Sequence, residues 1–159
     1  LPIYAFMDLL SRGGEKYKNM DLQREGDNRY IMTVETNEGE QIFIQVDNYP
    51  EKNAVRLVGE NNGELALLFE YVELSGGYAA QYYYNAVVSS SYGVQNKAMC
   101  VYRNIFFGTE GSAARFDEVG EPDSIIDGVP DEQELIEGAT HWLTLKNGKF
   151  TGELKGVAF

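Results

Sequence analysis

The chain has 159 residues, of which 43% are apolar and 13% aromatic, and this is the composition of a globular domain rather than of a disordered segment. Its 13 basic and 25 acidic residues give a formal net charge of −12. Because this charge repels phosphates and anionic lipid surfaces, and because no apolar run is long enough for a membrane-spanning helix, we expect no nucleic-acid binding and no membrane insertion.

A short helix is the first predicted element, at residues 3–11, where apolar side chains share one face before Gly13 and Gly14. The apolar period then changes to two. This alternation predicts strands at 17–24, 29–36, 41–47, 54–59 and 64–74, and their short connections predict antiparallel neighbours.

The middle and the end of the chain mix several patterns. Residues 78–91 are predicted as a helix packed on the sheet, because Tyr78, Tyr82 and Ala86 fit a helical stripe, although their composition also suits a strand. A strand is expected at 97–107, and 111–138 is expected to be a loop region with one short helix after Asp131. Strands at 141–146 and 149–157 should close the chain as a hairpin around an Asn-Gly turn.

These elements predict one α+β domain spanning residues 1–159. Its centre is an antiparallel β-meander of about six to eight strands, a number that follows from the spacing of the turn residues. The N-terminal helix and one or two further helices would pack on that sheet.

Residues 117–137, called here the acidic segment, hold nine acidic residues and no basic residue. Such a patch selects partners of opposite charge, so we predict that it binds a protein with a basic surface. The carboxylates predicted to form this binding surface are those of Asp117, Glu118, Glu121, Asp123, Asp127, Asp131, Glu132 and Glu134.

Calcium binding is an alternative for the acidic segment, because carboxylates in a loop with Gly and Pro are oxygen ligands of the kind that calcium prefers. The stretch after Asp123 does not match an EF-hand loop, since Ile125 occupies a position that needs an oxygen ligand. The sequence therefore predicts no resident cofactor, with calcium kept as the alternative.

A second predicted binding surface is aromatic and consists of Tyr82, Tyr83 and Tyr84. Three consecutive tyrosines cannot all point into one core, so some of them must be exposed or contact a partner, which would be a protein or a carbohydrate. The alternative is a core element whose hydroxyl groups reach the rim.

Cys100 and His141 are the single cysteine and the single histidine of the chain. Cys100 lies in an apolar run and is predicted to be a buried small residue. A Cys-His catalytic pair would need an electropositive and partly exposed thiol, and the sequence identifies no third group to orient the histidine. A catalytic role is therefore not favoured.

We thus expect a non-catalytic accessory or protein-interaction module that uses the acidic segment, the tyrosines, or both. One alternative is a small-ligand carrier, in which the meander closes like a barrel around an apolar cavity lined by Met32, Ile44, Leu57 and Phe69. Another is a small enzyme of unassigned chemistry that joins His141 to carboxylates. The chain begins with Leu1 rather than Met, so we expect a soluble protein whose compartment is open, a processed exported or organelle-targeted protein included.

Overall fold

The computed structural model describes residues 17–89, 95–154 and 157–158. Within these ranges the chain forms eleven strands, one α-helix and one short 3₁₀ helix, Pro50–Lys52. The strands are β1 Tyr17–Glu25, β2 Arg29–Thr36, β3 Gln41–Tyr49, β4 Ala54–Asn61, β5 Glu64–Leu74, β6 Gly77–Ser89, β7 Gln95–Phe107, β8 Glu110–Phe116, β9 His141–Lys146, β10 Lys149–Leu154 and β11 Val157–Ala158. The α-helix, α1, is Glu132–Ile136.

All eleven strands belong to one sheet, in which they follow one another in chain order. Each consecutive pair is antiparallel, as short connections require. The turn between β9 and β10 shows why the chain reverses so tightly, because Asn147 and Gly148 both have positive φ angles, of 51° and 70°. Asn and Gly tolerate this conformation, and its twist matches that of the strands.

The two faces of the sheet differ in what lies on them. Glu70, Gln81 and Arg103 are cross-strand partners on β5, β6 and β7, and they mark one face, called here the covered face. The opposite face carries the neighbouring row of Phe69, Tyr82 and Tyr102, and we call it the apolar face. Successive side chains of a strand alternate between the two faces. The register of the strand pairs therefore assigns each of the remaining strand residues to one of these faces.

The acidic segment and α1 pack on the covered face. Ile125 of the segment is 4% exposed and Leu135 of α1 is 1% exposed, and both belong to one buried cluster with residues of β4 to β8. Three of the strand residues in that cluster are alanines, Ala54, Ala79 and Ala114. Small side chains on the sheet leave room for the larger ones above them, and this is how the segment forms a second layer.

Most of the predicted strands are confirmed. The predicted bounds 29–36, 64–74 and 141–146 are those of β2, β5 and β9, and the strands predicted at 17–24, 41–47, 54–59 and 97–107 are β1, β3, β4 and β7 with ends shifted by one or two residues. The final hairpin is also confirmed, as is the short helix after Asp131.

The predicted α+β class is wrong. In the described ranges the five residues of α1 are the only α-helix, and the strands form one antiparallel sheet of eleven rather than six to eight. The helix predicted at 78–91 is instead β6, a 13-residue strand, and the predicted loop region 111–138 begins inside β8. The helix predicted at 3–11 lies outside the described residues.

These errors have physical causes. Tyr78, Tyr82 and Ala86 are spaced by four, which is a multiple of the strand period as well as close to one helical turn, so the stripe does not distinguish the two structures. β8 contains Gly, Ser and Ala, which have low strand propensity, but it lies between β7 and β9 and four of its residues are buried. Tertiary packing therefore outweighs propensity there. No helix in the described part of the chain is long and apolar enough to cross a membrane.

Candidate functional site

The acidic segment is attached to the sheet through Glu70, a side chain of β5 that is 0% exposed. One carboxylate oxygen accepts a hydrogen bond from Ser124 Oγ at 2.7 Å, and the other accepts from the backbone N–H of Ile125 at 2.9 Å. Gln81 Nε2 also donates to Glu70, at 3.3 Å, and Arg56 Nε lies 3.6 Å away. Three donors and the nearby guanidinium charge compensate for the lost hydration of this buried carboxylate, although Arg56 Nε itself has no hydrogen-bond acceptor within the described residues.

A second attachment starts at Arg103 on β7. Its Nε donates to Gln81 Oε1 at 2.5 Å, and Gln81 Nε2 donates onward to the backbone carbonyl of Asp123 at 2.8 Å. Burial lowers the pKa of Arg103, although the negative charges of Asp123 and Glu70 act in the opposite direction. Residues 123–125 are therefore held by side chains from three adjacent strands.

Several predicted binding carboxylates are ion-pair partners within this fold. Asp117 pairs with Arg115 at 2.6 Å, and Asp127 pairs with Lys52 of the 3₁₀ helix. Glu132 pairs with Lys146 at 2.6 Å and also accepts from Ser112 Oγ. These two hydrogen bonds lower the pKa of the Glu132 carboxyl, although partial burial opposes them.

Two further predicted carboxylates cap α1. Asp131 Oδ1 accepts from the backbone N–H groups of Gln133 and Glu134, both at 2.9 Å, and Glu134 Oε2 accepts from the Asp131 N–H at 3.0 Å. This reciprocal pair is a capping box, which satisfies backbone donors at the start of the helix. Both side chains therefore have a structural role.

The remaining predicted carboxylates are directed outward. Glu121 is exposed and lies 3.9 Å from Arg56, an ion pair of long distance. Glu118 and Asp123 are exposed, as is Glu137, and within the described ranges none of these three side chains forms an ion pair. The segment thus combines acids that hold it on the sheet with three exposed acids that form no ion pair within the described residues.

The three predicted tyrosines are divided between the two faces. Tyr83 lies on the covered face, is 8% exposed and belongs to a buried cluster with Leu68 and Val101. Tyr82 and Tyr84 lie on the apolar face and are half-buried. A strand places consecutive residues on opposite faces, so these three side chains do not form one surface.

Tyr82 instead belongs to a group of rings contributed by three adjacent strands. We call this group the aromatic patch, and its members are Phe69, Tyr71, Tyr78, Tyr82, Tyr102 and Phe106. Ring centroids lie 4.7 Å apart for Phe69 and Tyr82 and 6.0 Å apart for Tyr82 and Tyr102. Tyr78 lies 5.7 Å from Tyr71 and 5.8 Å from Phe106. Burial raises the pKa of Tyr82, and the neighbouring tyrosines raise it further.

Small side chains lie between the two groups of rings. Ala80, Asn104 and Ala113 are cross-strand partners on β6, β7 and β8, and each is less than one-tenth exposed. Asn104 Oδ1 is buried and has no hydrogen-bond donor in the part of the chain that the structure describes. An amide oxygen in this state is uncommon, because its lost hydration is uncompensated.

Cys100 and His141 both contact Asp117. The thiol Sγ lies 3.5 Å from Asp117 Oδ1, and His141 Nε2 lies 3.7 Å from Asp117 Oδ2. Cys100 is 0% exposed, as predicted for a buried small residue. A sulfur without access to solvent is not placed to attack a substrate.

The geometry of the described residues bears on both the calcium and the carrier alternatives. Within them, no three His, Cys, Asp or Glu side chains are placed to hold a metal ion, so nothing in the geometry favours the calcium alternative. A polar cavity of about 440 Å³ lies at the β1–β2 turn and the end of β3. Four carboxylates, Arg29 and Tyr49 contribute to its lining, which is unlike the apolar cavity of a lipid carrier.

Comparison of the chain with known protein families, with curated proteins and with solved structures yields no match.

Glu70 and Asn104 were not identified from the sequence, yet both are visible in the strand pattern. Glu70 alternates with Leu68 and Val72, which are buried, so it occupies a position where the period of two predicts an apolar residue. A charged residue at such a position indicates a buried partner network. Asn104 is likewise a polar residue at a position where the period of two predicts an apolar one, because it follows Cys100 and Tyr102 along the apolar face of β7.

Proposed function

We propose that this protein is a non-catalytic binding module that docks a partner protein through the aromatic patch. The observation that carries the proposal is that two groups of three aromatic rings lie on central strands of one face and remain half-buried or exposed, while the opposite face is covered by the acidic segment. Tyr and Phe are enriched at protein interfaces, where they bury a large apolar area at little cost in side-chain entropy.

The surroundings of the patch extend this apolar surface. Leu67, Tyr84 and Leu143 lie on the same face and are half-buried. Contiguous apolar surfaces on the outside of a folded domain mark contact sites, because water around them is released when a partner binds. The phenol hydroxyl groups supply hydrogen bonds at the edge of such a contact.

Asn104 indicates one feature of the partner. Its buried Oδ1 has no donor within the described residues, and the register places it between the pair Tyr82 and Tyr102 and the pair Tyr78 and Phe106. We infer that a partner side chain with an N–H or O–H group donates to this oxygen. A hydrogen bond of this kind would lie in the middle of an apolar contact. At protein interfaces a few central residues usually supply most of the binding energy.

Crosslinking tests the proposal directly. A photoreactive phenylalanine analogue replaces Tyr78, which is 37% exposed, and the matched control carries it at Phe150, which is 60% exposed and lies on β10 outside the patch. We expect a stoichiometric protein adduct in native extract from the first position and none from the second. Tyr82→Ala and Tyr102→Ala should abolish the adduct; equal adducts from both positions, or no adduct at all, would refute the aromatic docking site.

A basic partner bound to the acidic segment is a second candidate function, favoured by the exposed and unpaired carboxylates of Glu118, Asp123 and Glu137. Replacing these three with Gln, Asn and Gln should abolish capture of such a partner while the fold is kept. Asp127, Asp131 and Glu132 are unsuitable for this test, since they hold the segment and its helix in place. If the triple variant captures the partner protein as well as the wild type does, and salt does not weaken the capture, the acidic segment is not the binding site.

The carrier alternative rests on the position of four side chains. Met32, Ile44, Leu57 and Phe69 all lie on the apolar face, as the register of β2 to β5 requires. A carrier should bind a fatty acid with saturation at one equivalent, and Leu57→Asp should abolish the binding. A docking surface should show no saturable fatty-acid binding and should keep its protein adduct when fatty acid is added.

A further inference from the structure

The two edges of the sheet are built differently. At one edge, β11 has two residues, which leaves few backbone groups for pairing with another strand. At the other edge, β1 has nine residues and no proline, and within the described ranges it pairs only with β2. Lys18 to Glu25 are all exposed. A long, exposed edge strand presents a row of unpaired N–H and C=O groups, which other proteins shield with short strands, prolines or bulges.

The side chains of β1 add an apolar component to this edge. Met20 is 42% exposed and Leu22 is 69% exposed, and they lie opposite Val34 and Met32 on the apolar face. They therefore extend that face to the last strand. A strand from another chain added at this edge would bury both side chains together with the backbone groups.

We propose that the occupant of this edge is a second copy of the chain, paired antiparallel through β1 with Leu22 opposite Leu22 across a two-fold axis. The axis is perpendicular to the sheet, so the two sheets become continuous and the two apolar faces point to the same side. This inference is independent of the partner proposed for the aromatic patch.

Charge explains why this edge suits an acidic protein. The chain carries a formal net charge of −12, which opposes association of two copies through most of its surface. β1 contains two cations, Lys18 and Arg24, and two anions, Asp21 and Glu25, and is therefore neutral. Two copies can approach at this strand without direct repulsion between the paired elements.

In this dimer, residues that lie opposite each other across the axis must be on the same face of the continuous sheet. Because the faces alternate along each strand, an even-numbered residue can pair only with an even-numbered one, and an odd-numbered residue only with an odd-numbered one. A centre at Asp21 would place that carboxylate opposite itself and Lys18 opposite Arg24, and like charges in opposition are destabilising. A centre at Gln23 would place Asp21 opposite Glu25, which again opposes two negative charges.

Three centres avoid like charges, at Asn19, Met20 and Leu22. The Asn19 and Met20 centres pair residues 17–21 and 17–23, and both stretches contain the irregularity between Tyr17 and Asn19 in the pairing of β1 with β2. The Leu22 centre pairs residues 19–25, and this stretch lies beyond the irregularity. In this register Asp21 lies opposite Gln23, whose amide can donate to the carboxylate.

The contact is small, since seven residues of each copy take part. It buries less than the roughly 1,000 Å² of a stable interface, so the dimer should exchange with the monomer as concentration changes. Equilibrium sedimentation of the full chain should therefore give a mass that rises from one chain towards two with concentration. Leu22→Asp should raise the dissociation constant by about tenfold or more. The matched control is Leu154→Asp, which alters an apolar side chain of β10, 52% exposed, and should leave the association unchanged.

Disulfide trapping tests the register. Leu22→Cys brings two thiols face to face across the axis and should give a crosslinked dimer under mild oxidation with diamide. Met20→Cys should not crosslink, because its two copies are separated along the strands; Cys100 is buried and does not compete. A mass of one chain at all concentrations, or equal crosslinking of Met20→Cys, or equal weakening by Leu154→Asp would overturn the proposal.

Discussion

The two faces of this sheet carry different side chains and use them differently. On the covered face, alanines and a buried polar network receive the acidic segment, and Glu70 accepts hydrogen bonds from Ser124, Ile125 and Gln81, although Arg56 Nε has no acceptor within the described residues. On the apolar face, two groups of three rings stay partly exposed, and Asn104 Oδ1 has no donor within the described residues. This difference is the basis of our proposal that a partner protein covers the rings of the apolar face.

The largest expected effect comes from removing the side chain of Leu135, which is 1% exposed between α1 and the sheet. Leu135→Ala should lower the free energy of unfolding by about 2–5 kcal/mol, because it leaves a cavity under the helix. Leu154→Ala, at a side chain that is 52% exposed, should change it by less than about 0.5 kcal/mol. Denaturant unfolding of both variants measures the contrast, and equal effects would contradict the assignment of the covered face.

A similar comparison applies to two glutamates of β5. Glu70→Ala should lower the free energy of unfolding by about 3 kcal/mol, since it leaves the Ile125 N–H and the Ser124 hydroxyl without their acceptor and removes the carboxylate that lies 3.6 Å from Arg56. Glu73→Ala alters an exposed residue on the other face of the same strand and should be close to neutral. Faster hydrogen exchange at residues 124–126 in the first variant alone would link the loss to detachment of the acidic segment.

Acid should weaken the contact between α1 and β9. The pKa of Glu132 is lowered in the folded chain by hydrogen bonds from Lys146 and Ser112, so its stabilising contribution is present above the ordinary carboxyl pKa and is lost as the pH falls through the lowered value. The difference in unfolding free energy between wild type and Glu132→Gln should therefore shrink from about pH 6 to about pH 3. A constant difference over this range would contradict the assignment. Glu137→Gln, at an exposed residue, is the control.

The smallest effect concerns the aromatic patch in the free protein. A double-mutant cycle on Phe69 and Tyr82, whose rings lie 4.7 Å apart, should give a coupling energy of about 0.5–1.5 kcal/mol. The same variants should reduce partner binding more than they reduce stability. If stability falls by as much as at Leu135, the rings belong to a core rather than to a contact surface.

Strand positions were predictable where alternation was regular, as in β2 and β5. They were not predictable where apolar side chains on both faces removed the alternation, as in β6, or where small residues concealed a strand, as in β8. The acidic segment was recognised as unusual, but its composition suggested a free loop. Its attachment depends on Glu70 and Gln81, which are distant in sequence from Ser124 and Ile125.

The three consecutive tyrosines were recognised as a group, and the strand then separated them. Tyr83 entered the covered face while Tyr82 joined rings from two other strands. Only the register of β5, β6 and β7 brings those rings together, and local sequence does not contain it. This is why a surface made of residues from three strands could not be predicted from one tyrosine-rich stretch.

Those same tyrosines allow the most direct test of the division between the faces. Brief chemical nitration of the native protein, followed by mass spectrometry, compares three adjacent residues under identical conditions. We predict that Tyr82 and Tyr84 are modified while Tyr83, which is 8% exposed, is protected. Modification of Tyr83 at a rate equal to that of its two neighbours would contradict the account, because the covered face would then be open to solvent.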